Sequence, residues 1–229
     1  MERRPLKVDL HMHSGGDPED NLPYSPEELI DVMAAKGFDA VAITNHNCDI
    51  FCPKLAGYAA SRGVVLIRGL ELTYEDQHIV LLNFDSPEDI YGPDDILAHK
   101  APENLVIASH PYFPLAPSCG RLLEARPEVF DAVEYSHMYV SMVNFNRRAV
   151  RRAYELGLPL IGTSDAHSLG QTGFTYTLVD ADERTPDSII AAIKAGKSKL
   201  VTRPLPLARF AKTVLWMKLD EIARKLARG

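Results

Sequence analysis

The feature that most constrains how this chain can fold is the regular alternation of short apolar runs with helical segments. Residues 25–28 (SPEE) supply an N-cap, a proline at the first helical position and acids in the first turn. Glycines follow the helical stretches where a left-handed cap residue is expected: Gly37, Gly63, Gly157 and Gly196. The predicted strands cover residues 6–11, 40–44, 64–70, 78–84, 105–109, 132–135, 158–163, 175–179 and 198–202.

This order indicates an α/β fold with a mainly parallel sheet, because parallel strands need crossover connections and are buried on both faces. Seven or eight such units within about 200 residues favour closure into a barrel over an open sheet. We therefore predict a TIM-like barrel of the (β/α)7 kind, as a single domain over residues 1–202. A C-terminal helical tail follows over residues 203–229.

Charge is distributed unevenly along the chain. The net charge is −6, but residues 203–229 carry +5 and the remainder −11. The acidic body argues against a stable complex with nucleic acid, since phosphate backbones favour basic surfaces. The basic tail could lie on an anionic membrane surface. We favour a helix that packs its apolar residues against the body: Leu207, Phe210, Val214, Leu219 and Ile222.

The compartment is predicted to be cytoplasmic. No apolar run reaches the roughly 18 residues that a membrane-spanning helix needs, and the first residues lack the apolar core of a signal peptide. The cysteines Cys48, Cys52 and Cys119 are an odd number, which is typical of free thiols in a reducing compartment.

Histidines and carboxylates recur at or just beyond the ends of predicted strands. They are His11, His13, His46, Glu71, His110, Glu134, His137, Asp165 and His167. The carboxyl ends of strands in a parallel barrel open onto one face, so these side chains are expected to gather in one pocket. A single histidine at a strand end is an ordinary polar residue, but the recurrence indicates a metal site or acid–base chemistry. His99 is expected to face solvent, and His78, which begins a strand, to line the pocket or to lie behind the ligands and orient them.

Spacing within the motifs supports metal binding. His11 and His13 are two residues apart, so both imidazoles project from one side of a strand and can bind one ion. Asp165 and His167 repeat this spacing with an oxygen and a nitrogen ligand. Mixed histidine and carboxylate ligands, without a cysteine pair at zinc-finger spacing, are typical of catalytic Zn, Mn or Fe.

The segments DLHMHS (9–14), AITNHN (42–47), GLELT (69–73), ASHPYF (108–113), VEYSHMY (133–139) and GTSDAH (162–167) resemble, in this order, those of the PHP (polymerase and histidinol phosphatase) family. The resemblance spans roughly residues 6 to 180. It implies a distorted seven-stranded β/α barrel with up to three metal ions that hydrolyses phosphate esters.

The resemblance also implies ligand roles. His11, His13, Glu71 and Asp165 would hold a first ion, and Glu71 would bridge to a second ion held by His110 and His137. His46 and His167 would hold a third ion together with Asp17 or Asp20. Three features depart from the family pattern, and the first is the loop of residues 15–20, which offers Asp17 or Asp20 as the ligand. Asn45 stands where an aspartate is usual, and either His137 or Glu134 could lie behind the ligands and orient them.

The predicted function is hydrolysis of a small phosphomonoester or nucleotide-like substrate by a metal-bound hydroxide at a site of two or three divalent ions. Glu71, Asp165 and His167 are the expected catalytic residues. Arginines could clamp the phosphate, although each could equally be an ordinary surface residue: Arg68, Arg121 and Arg147. Two alternatives remain, an amidohydrolase-like enzyme that cleaves C–N bonds and a metal-stabilised binding module without catalysis.

Overall fold

The computed structural model describes residues 4–215 as one mixed α/β domain. Its strands are β1 (Leu6–Asp9), β2 (Ala40–Ala42), β3 (Val65–Ile67), β4 (Gly69–Tyr74), β5 (Gln77–Leu82), β6 (Leu105–Ala108), β7 (Ala132–Ser136), β8 (Leu160–Thr163), β9 (Thr175–Val179) and β10 (Ser198–Thr202). Its helices are α1 (Pro26–Ala35), α2 (Pro53–Ser61), α3 (Pro93–His99), α4 (Gly120–Ala125), α5 (Arg147–Leu156) and α6 (Pro186–Lys194). Short 3₁₀ turns lie at Pro87–Asp89 and Pro127–Val129.

The strands form two five-stranded sheets, in the orders β10-β9-β1-β2-β3 and β4-β5-β6-β7-β8. Two isolated bridges connect the two sheets near the strand ends, one between Met12, which follows β1, and Ala166, which follows β8, and one between His46, which follows β2, and Glu71 of β4. The closed (β/α)7 barrel is not confirmed, because no continuous ladder of hydrogen bonds unites the two sheets among the described residues. The prediction of an α/β domain is confirmed.

The prediction of a mainly parallel sheet is wrong in two regions, because β9 pairs antiparallel with β1 and β10, and β5 pairs antiparallel with β4 and β6. The apolar run 64–70 divides into β3 and the start of β4, and β4 then pairs antiparallel with β5. The turn between them places Glu75 and Asp76 at φ angles of 46° and 55°, a conformation that asparagine or glycine usually signals in hairpins. Since β5 is antiparallel to β6 as well, it begins at the end of the sheet where the parallel strands finish.

The predicted helix ends are confirmed. The Ser25 hydroxyl accepts a hydrogen bond from the Glu28 amide at 3.1 Å, and the Glu28 carboxylate accepts one from the Ser25 amide at 2.7 Å. This reciprocal pair satisfies two amides that the first helical turn leaves without partners. At the end of α5, Gly157 adopts a φ of 68°, which allows the chain to reverse without steric cost.

The core has three layers. Between the sheets, apolar side chains of β1, β2 and β3 form a cluster with Val80, Leu82 and Ile107, which α6 closes at one end. Helices α1 and α2 cover the outer face of the first sheet. Apolar residues of α3, α4 and α5 cover the outer face of the second. This packing fixes the strand ends relative to one another and so positions the polar residues that follow them.

The start of the tail packs against the body, as predicted. Residues 207–215 are helical, and Phe210 and Val214 pack against a cluster that contains Leu205. Leu207, by contrast, is 71% exposed. Leu219 and Ile222 lie outside the described residues.

Over residues 4–215, the helices are all too short or too polar to cross a bilayer.

Candidate metal centre

The polar strand-end residues converge where the two sheets meet. The bridge between Met12 and Ala166 aligns the DLHMHS and GTSDAH motifs, and the Ala166 carbonyl accepts a hydrogen bond from the His13 amide at 3.1 Å. On the other side, the Asn47 amide donates to the Glu71 carbonyl at 2.8 Å. Irregular pairing between the sheets therefore holds the motifs together.

A first group contains His11, His13 and Asp165. The Nε2 atoms of His11 and His13 lie 3.3 Å apart, and they lie 3.5 and 3.4 Å from Asp165 Oδ1. One ligand atom from each residue falls within 4.8 Å of the others. The Glu71 carboxylate borders this group, 3.2 Å from His11 Nε2 and 3.4 Å from His13 Nε2.

A second group contains His11, Glu71 and His110, with one ligand atom from each within 4.8 Å of the others, and His78 borders it at Glu71 Oε1. His110 Nε2 lies 3.3 Å from this oxygen, and His78 Nδ1 lies 3.2 Å from it. The sequence predicted for His78 a position lining the pocket or behind the ligands, because it starts its strand. In an antiparallel strand, however, the start lies at the same edge as the ends of the parallel strands. The hairpin pairs His78 with Thr73, two residues beyond Glu71.

A third group gathers ligand atoms of His13, Asp20, His46 and His167 within 4.8 Å. Asp20 Oδ2 lies 3.0 Å from His167 Nε2 and 3.6 Å from His46 Nδ1. A further group contains Glu19, His46 and His78, and it shares His46 with the third group. Glu19 is not among the residues that the sequence predicted for the site.

Asp17 lies behind the third group. Its carboxylate contacts His13 Nδ1 at 2.9 Å and His46 Nδ1 at 3.0 Å. It also accepts hydrogen bonds from the backbone amides of His46 and Glu19, at 3.0 and 2.8 Å. A carboxylate in this position fixes the ring orientation and tautomer of a metal-binding histidine.

Glu134 has a similar relation to the second group. Its carboxylate accepts hydrogen bonds from the His110 amide and the Thr163 hydroxyl, and it lies 3.4 Å from His11 Nδ1. His137 is 1% exposed, and its Nε2 lies 3.5 Å from the Gln171 side-chain nitrogen. His137 belongs to none of the ligand groups among residues 4–215.

Electrostatic coupling between these residues is strong. Burial lowers the pKa of His11, but Glu71 and Asp165 outweigh this effect and hold it well above its ordinary value. Burial likewise opposes ionisation of Glu71, yet the neighbouring histidines keep its pKa well below the usual range. By contrast, burial lowers the pKa of His78, and lowers that of His137 to about 4. The site therefore combines ionised carboxylates with imidazoles of two kinds: His11 favours the protonated form, and His78 and His137 favour the neutral form.

The donor set fits divalent cations. Several buried polar atoms lack a hydrogen bond within the described part of the chain, among them Asp165 Oδ1, His78 Nε2 and His110 Nδ1. Leaving such atoms unpaired costs free energy, which a bound ion would offset. His110 and Asp165 also adopt positive φ angles of 29° and 42°. Strain of this kind is typical of functional sites.

The remaining predicted residues occupy varied positions. Asn45 Oδ1 accepts a hydrogen bond from the Ser14 amide at 2.9 Å, so it supports the first motif from behind. Arg68 is paired with Asp49. Arg121 donates to the Glu75 carbonyl at 2.9 Å, and Arg147 is exposed at the start of α5. The roles of these arginines in binding phosphate stay predictions.

Comparison with known proteins gives consistent results. A family model described as PHP-associated matches residues 143–198. An uncharacterised protein of Methanocaldococcus jannaschii, MJ1587, is 30% identical over 125 residues, which cover 50% of this chain and 73% of that protein. A 3',5'-nucleoside bisphosphate phosphatase of Chromobacterium violaceum is 33% identical over 85 residues, 35% of this chain and 29% of that enzyme.

Solved structures share the fold at low sequence identity. A two-domain protein from Bacteroides vulgatus, described as containing a predicted PHP-like metal-dependent phosphoesterase, has a TM-score of 0.68 and 20% identity; the match covers 86% of this chain and 65% of that one. The lesion-specific endonuclease PfuEndoQ from Pyrococcus furiosus has a TM-score of 0.56 and 15% identity, covering 85% and 57%. These structures support the fold alone.

Proposed function

The chain belongs to the PHP family, and we propose that it is a metal-dependent phosphoesterase that hydrolyses small phosphate esters. The position of Glu71 carries this proposal. One carboxylate lies within 3.4 Å of ring nitrogens of His11, His13, His46, His78 and His110. A carboxylate that contacts several imidazoles is suited to bridge divalent ions, because each of its oxygens can serve a different ion.

The groups suggest a revised ligand assignment. We assign the first ion to His11, His13 and Asp165, and the second to Glu71, His78 and His110. The third ion falls to Asp20, His46 and His167, with His13 beside them. In this assignment Asp17 and Glu134 orient the histidines, and His137 lines the pocket. Zn, Mn and Fe all suit these nitrogen and oxygen donors.

When bound, divalent ions would supply Lewis-acid activation of water and neutralise the charge of the phosphoryl group. The chain's own residues determine the geometry. Glu71 and Asp165 both provide negative charge near His11 Nε2, at 3.2 and 3.5 Å, and Glu134 lies 3.4 Å from the Nδ1 atom of the same ring. Glu134, anchored by the Thr163 hydroxyl and the His110 amide, keeps the histidines in fixed orientations. Such preorganisation is a large part of what a protein contributes to phosphoryl transfer.

The substrate is proposed to be a phosphomonoester or a nucleotide. Part of the second ligand group lies on the tight hairpin between β4 and β5, and a short loop follows His110, so the pocket is shaped without an inserted domain. The sequence similarity to a nucleoside bisphosphate phosphatase supports a substrate of nucleotide size. A nucleic-acid substrate is not excluded by the net charge of −6. The reason is that an endonuclease shares the fold over 85% of this chain.

The test is a hydrolysis screen on metal-replete protein, with phosphomonoesters, nucleotides, oligonucleotides, amides and lactones as substrates. We expect turnover of phosphomonoesters or nucleotides, and loss of at least about 1,000-fold in Asp165→Ala, since a ligand that binds an ion at the reacting centre is removed. His99→Ala is the control, because His99 is exposed on α3 and should leave the rate unchanged.

Other results would redirect the assignment. Turnover of amides or lactones alone would favour a C–N hydrolase. No turnover of any substrate would favour a metal-stabilised binding module. Full activity in Asp165→Ala would contradict the proposed centre.

A further inference from the structure

The C-terminal segment, residues 203–215, starts beside the metal centre. Strand β9 is antiparallel to β1 and pairs Thr177 with Val8, so β9 begins at the end where β1 finishes. Strand β10 is antiparallel to β9 and pairs Thr202 with Thr175. The last residue of β10 is therefore placed at the same end of the sheet as His11 and His13.

The C-terminal segment packs on loops that carry site residues. The Arg203 amide donates to the Phe174 carbonyl at 3.0 Å, and the Leu205 amide donates to the Tyr139 carbonyl at 2.9 Å. Leu205 is 3% exposed in a cluster with Phe113 and Met138. Phe113 follows His110 by three residues, and Met138 follows His137 directly. The segment thus contacts loops after β6, β7 and β8.

Two basic side chains, those of Lys36 and Arg209, donate hydrogen bonds to the loop 168–173, which follows His167. Lys36, at the end of α1, donates to the Leu169 and Thr172 carbonyls, both at 3.1 Å. Arg209 of the C-terminal segment donates to the Gly170 carbonyl, and its guanidinium carbon lies 4.9 Å from the centre of the Phe174 ring. Hydrogen bonds from charged donors are stronger than neutral ones, so this loop is held at neighbouring carbonyls.

On the inner side of the same loop, Gln171 holds His167. Gln171 is 4% exposed, and its side-chain oxygen accepts hydrogen bonds from the His167 amide at 2.8 Å and the Ser168 hydroxyl at 3.1 Å. The His167 ring in turn contacts Asp20 at 3.0 Å. A continuous path of contacts therefore joins Arg209, Gly170, Gln171 and His167 to the third ligand group.

We propose that Arg209 is a positioning residue: through the loop 168–173 and Gln171 it holds His167 in place and so sets the affinity of the third ligand group for its ion. This inference rests on the proposed function, because it assumes that the group of His13, Asp20, His46 and His167 binds a divalent ion. It gives the start of the basic tail a role in the metal centre and requires no membrane contact.

The test is titration of the metal-free full chain with Co²⁺, followed by calorimetry and by the visible absorption of the bound ion. Arg209→Ala should weaken about tenfold the one Co²⁺ site that His167→Ala abolishes and leave the other sites unchanged, as is usual when a residue that supports a ligand is removed. Arg209→Lys should restore part of the affinity. Lys212→Ala removes the same charge from an exposed position on the same helical segment and should match the wild type.

A double-mutant cycle tests the path. If Arg209 acts through Gln171, then Arg209→Ala should have little further effect on Co²⁺ affinity in a Gln171→Ala background. Wild-type affinities in Arg209→Ala, or equal weakening of every site together with a lower melting temperature, would overturn the positioning role and leave the proposed function standing. A wild-type chain that binds no Co²⁺ would overturn the proposed function as well.

Discussion

Among single residues, His78 differs most between its predicted and its observed position in the site. It is the histidine that the sequence placed at the margin, and it contacts Glu71 Oε1 as closely as His110 does, at 3.2 and 3.3 Å. His137, which the family resemblance placed at the second ion, instead has its Nε2 3.5 Å from the Gln171 side-chain nitrogen. The two histidines therefore exchange their predicted roles in the proposed assignment.

We expect His78→Ala to lose one bound ion per chain and to lower kcat at least about 100-fold, because the second ion would retain only Glu71 and His110. His137→Ala should keep the wild-type number of ions, whatever its effect on KM. Elemental analysis of the purified variants, paired with hydrolysis rates, distinguishes the two. If His137→Ala lost an ion and His78→Ala kept the wild-type number, the assignment implied by the family resemblance, with His137 at the second ion, would be correct.

Asp9 is a buried carboxylate whose ionisation lowers the stability of the folded protein. It is fully buried, it accepts a hydrogen bond from the Ser164 amide at 3.0 Å, and burial raises its pKa to about 7. Because the folded state binds this proton more tightly than the unfolded state, the free energy of unfolding falls as pH rises from about 4 to about 7. The ionised carboxylate then destabilises the fold at higher pH.

We predict that Asp9→Asn stabilises the metal-free protein, and more at pH 8 than at pH 5, by roughly 2 kcal/mol, or about 5 °C in melting temperature. Asparagine keeps the acceptor for the Ser164 amide and removes the charge. Asp85→Asn, which removes an exposed carboxylate, is the control. An equal shift at both pH values in Asp9→Asn would show that Asp9 stays ionised throughout.

At the level of secondary structure, the sequence predicted most strands and helix ends but misjudged the β4–β5 hairpin. Apolar periodicity and capping residues are local signals, and they were sufficient for α1 and for β1. The hairpin turn uses Glu75 and Asp76 at positive φ, where no glycine or asparagine indicates a reversal. Strand direction was therefore missed, and with it the reason that His78 reaches the site. The pairing of sheet edges depends on distant contacts that local patterns do not encode.

Gly162 marks the place where β8 approaches the first sheet. The Thr177 hydroxyl donates to the Gly162 carbonyl and accepts from its amide, both at 2.9 Å. A Cβ atom at Gly162 would lie 2.9 Å from the Tyr176 carbonyl oxygen and would contact Leu200 and Thr175. Close approach of two backbones therefore requires glycine here.

We expect Gly162→Ala to destabilise the protein by about 1–3 kcal/mol, because the added methyl group forces two strands apart. Gly57→Ala is the matched control, since Gly57 lies within α2 and a Cβ there would meet nothing within 4 Å. It should stabilise by about 0.5–1 kcal/mol through helix propensity. Thermal unfolding measures both, and a tolerated Gly162→Ala would mean that the two sheets separate easily at this edge.

For the molecule as a whole, protons and metal ions should compete for one site. Carboxylates hold the pKa of His11 and His13 well above the ordinary value, and that of His46 at about 10, although burial alone would lower all three. In the metal-free protein, the stability that His46 contributes is fully present below its unfolded pKa of about 6.5. It is lost as pH rises towards 10.

Metal binding requires neutral imidazoles, so it must displace these protons. We therefore predict that divalent ions raise the melting temperature in proportion to the logarithm of their concentration, and that this gain grows between pH 6 and pH 8.5. Calorimetry at pH 7.5 in two buffers of different ionisation enthalpy should show net proton release on binding. His46→Gln is the matched variant, because it keeps a polar side chain, cannot be protonated, and should release fewer protons per ion. If the stabilisation by metal were independent of pH, the histidines would already be neutral in the metal-free protein. Glu71 and Asp165 would then not keep the neighbouring imidazoles protonated.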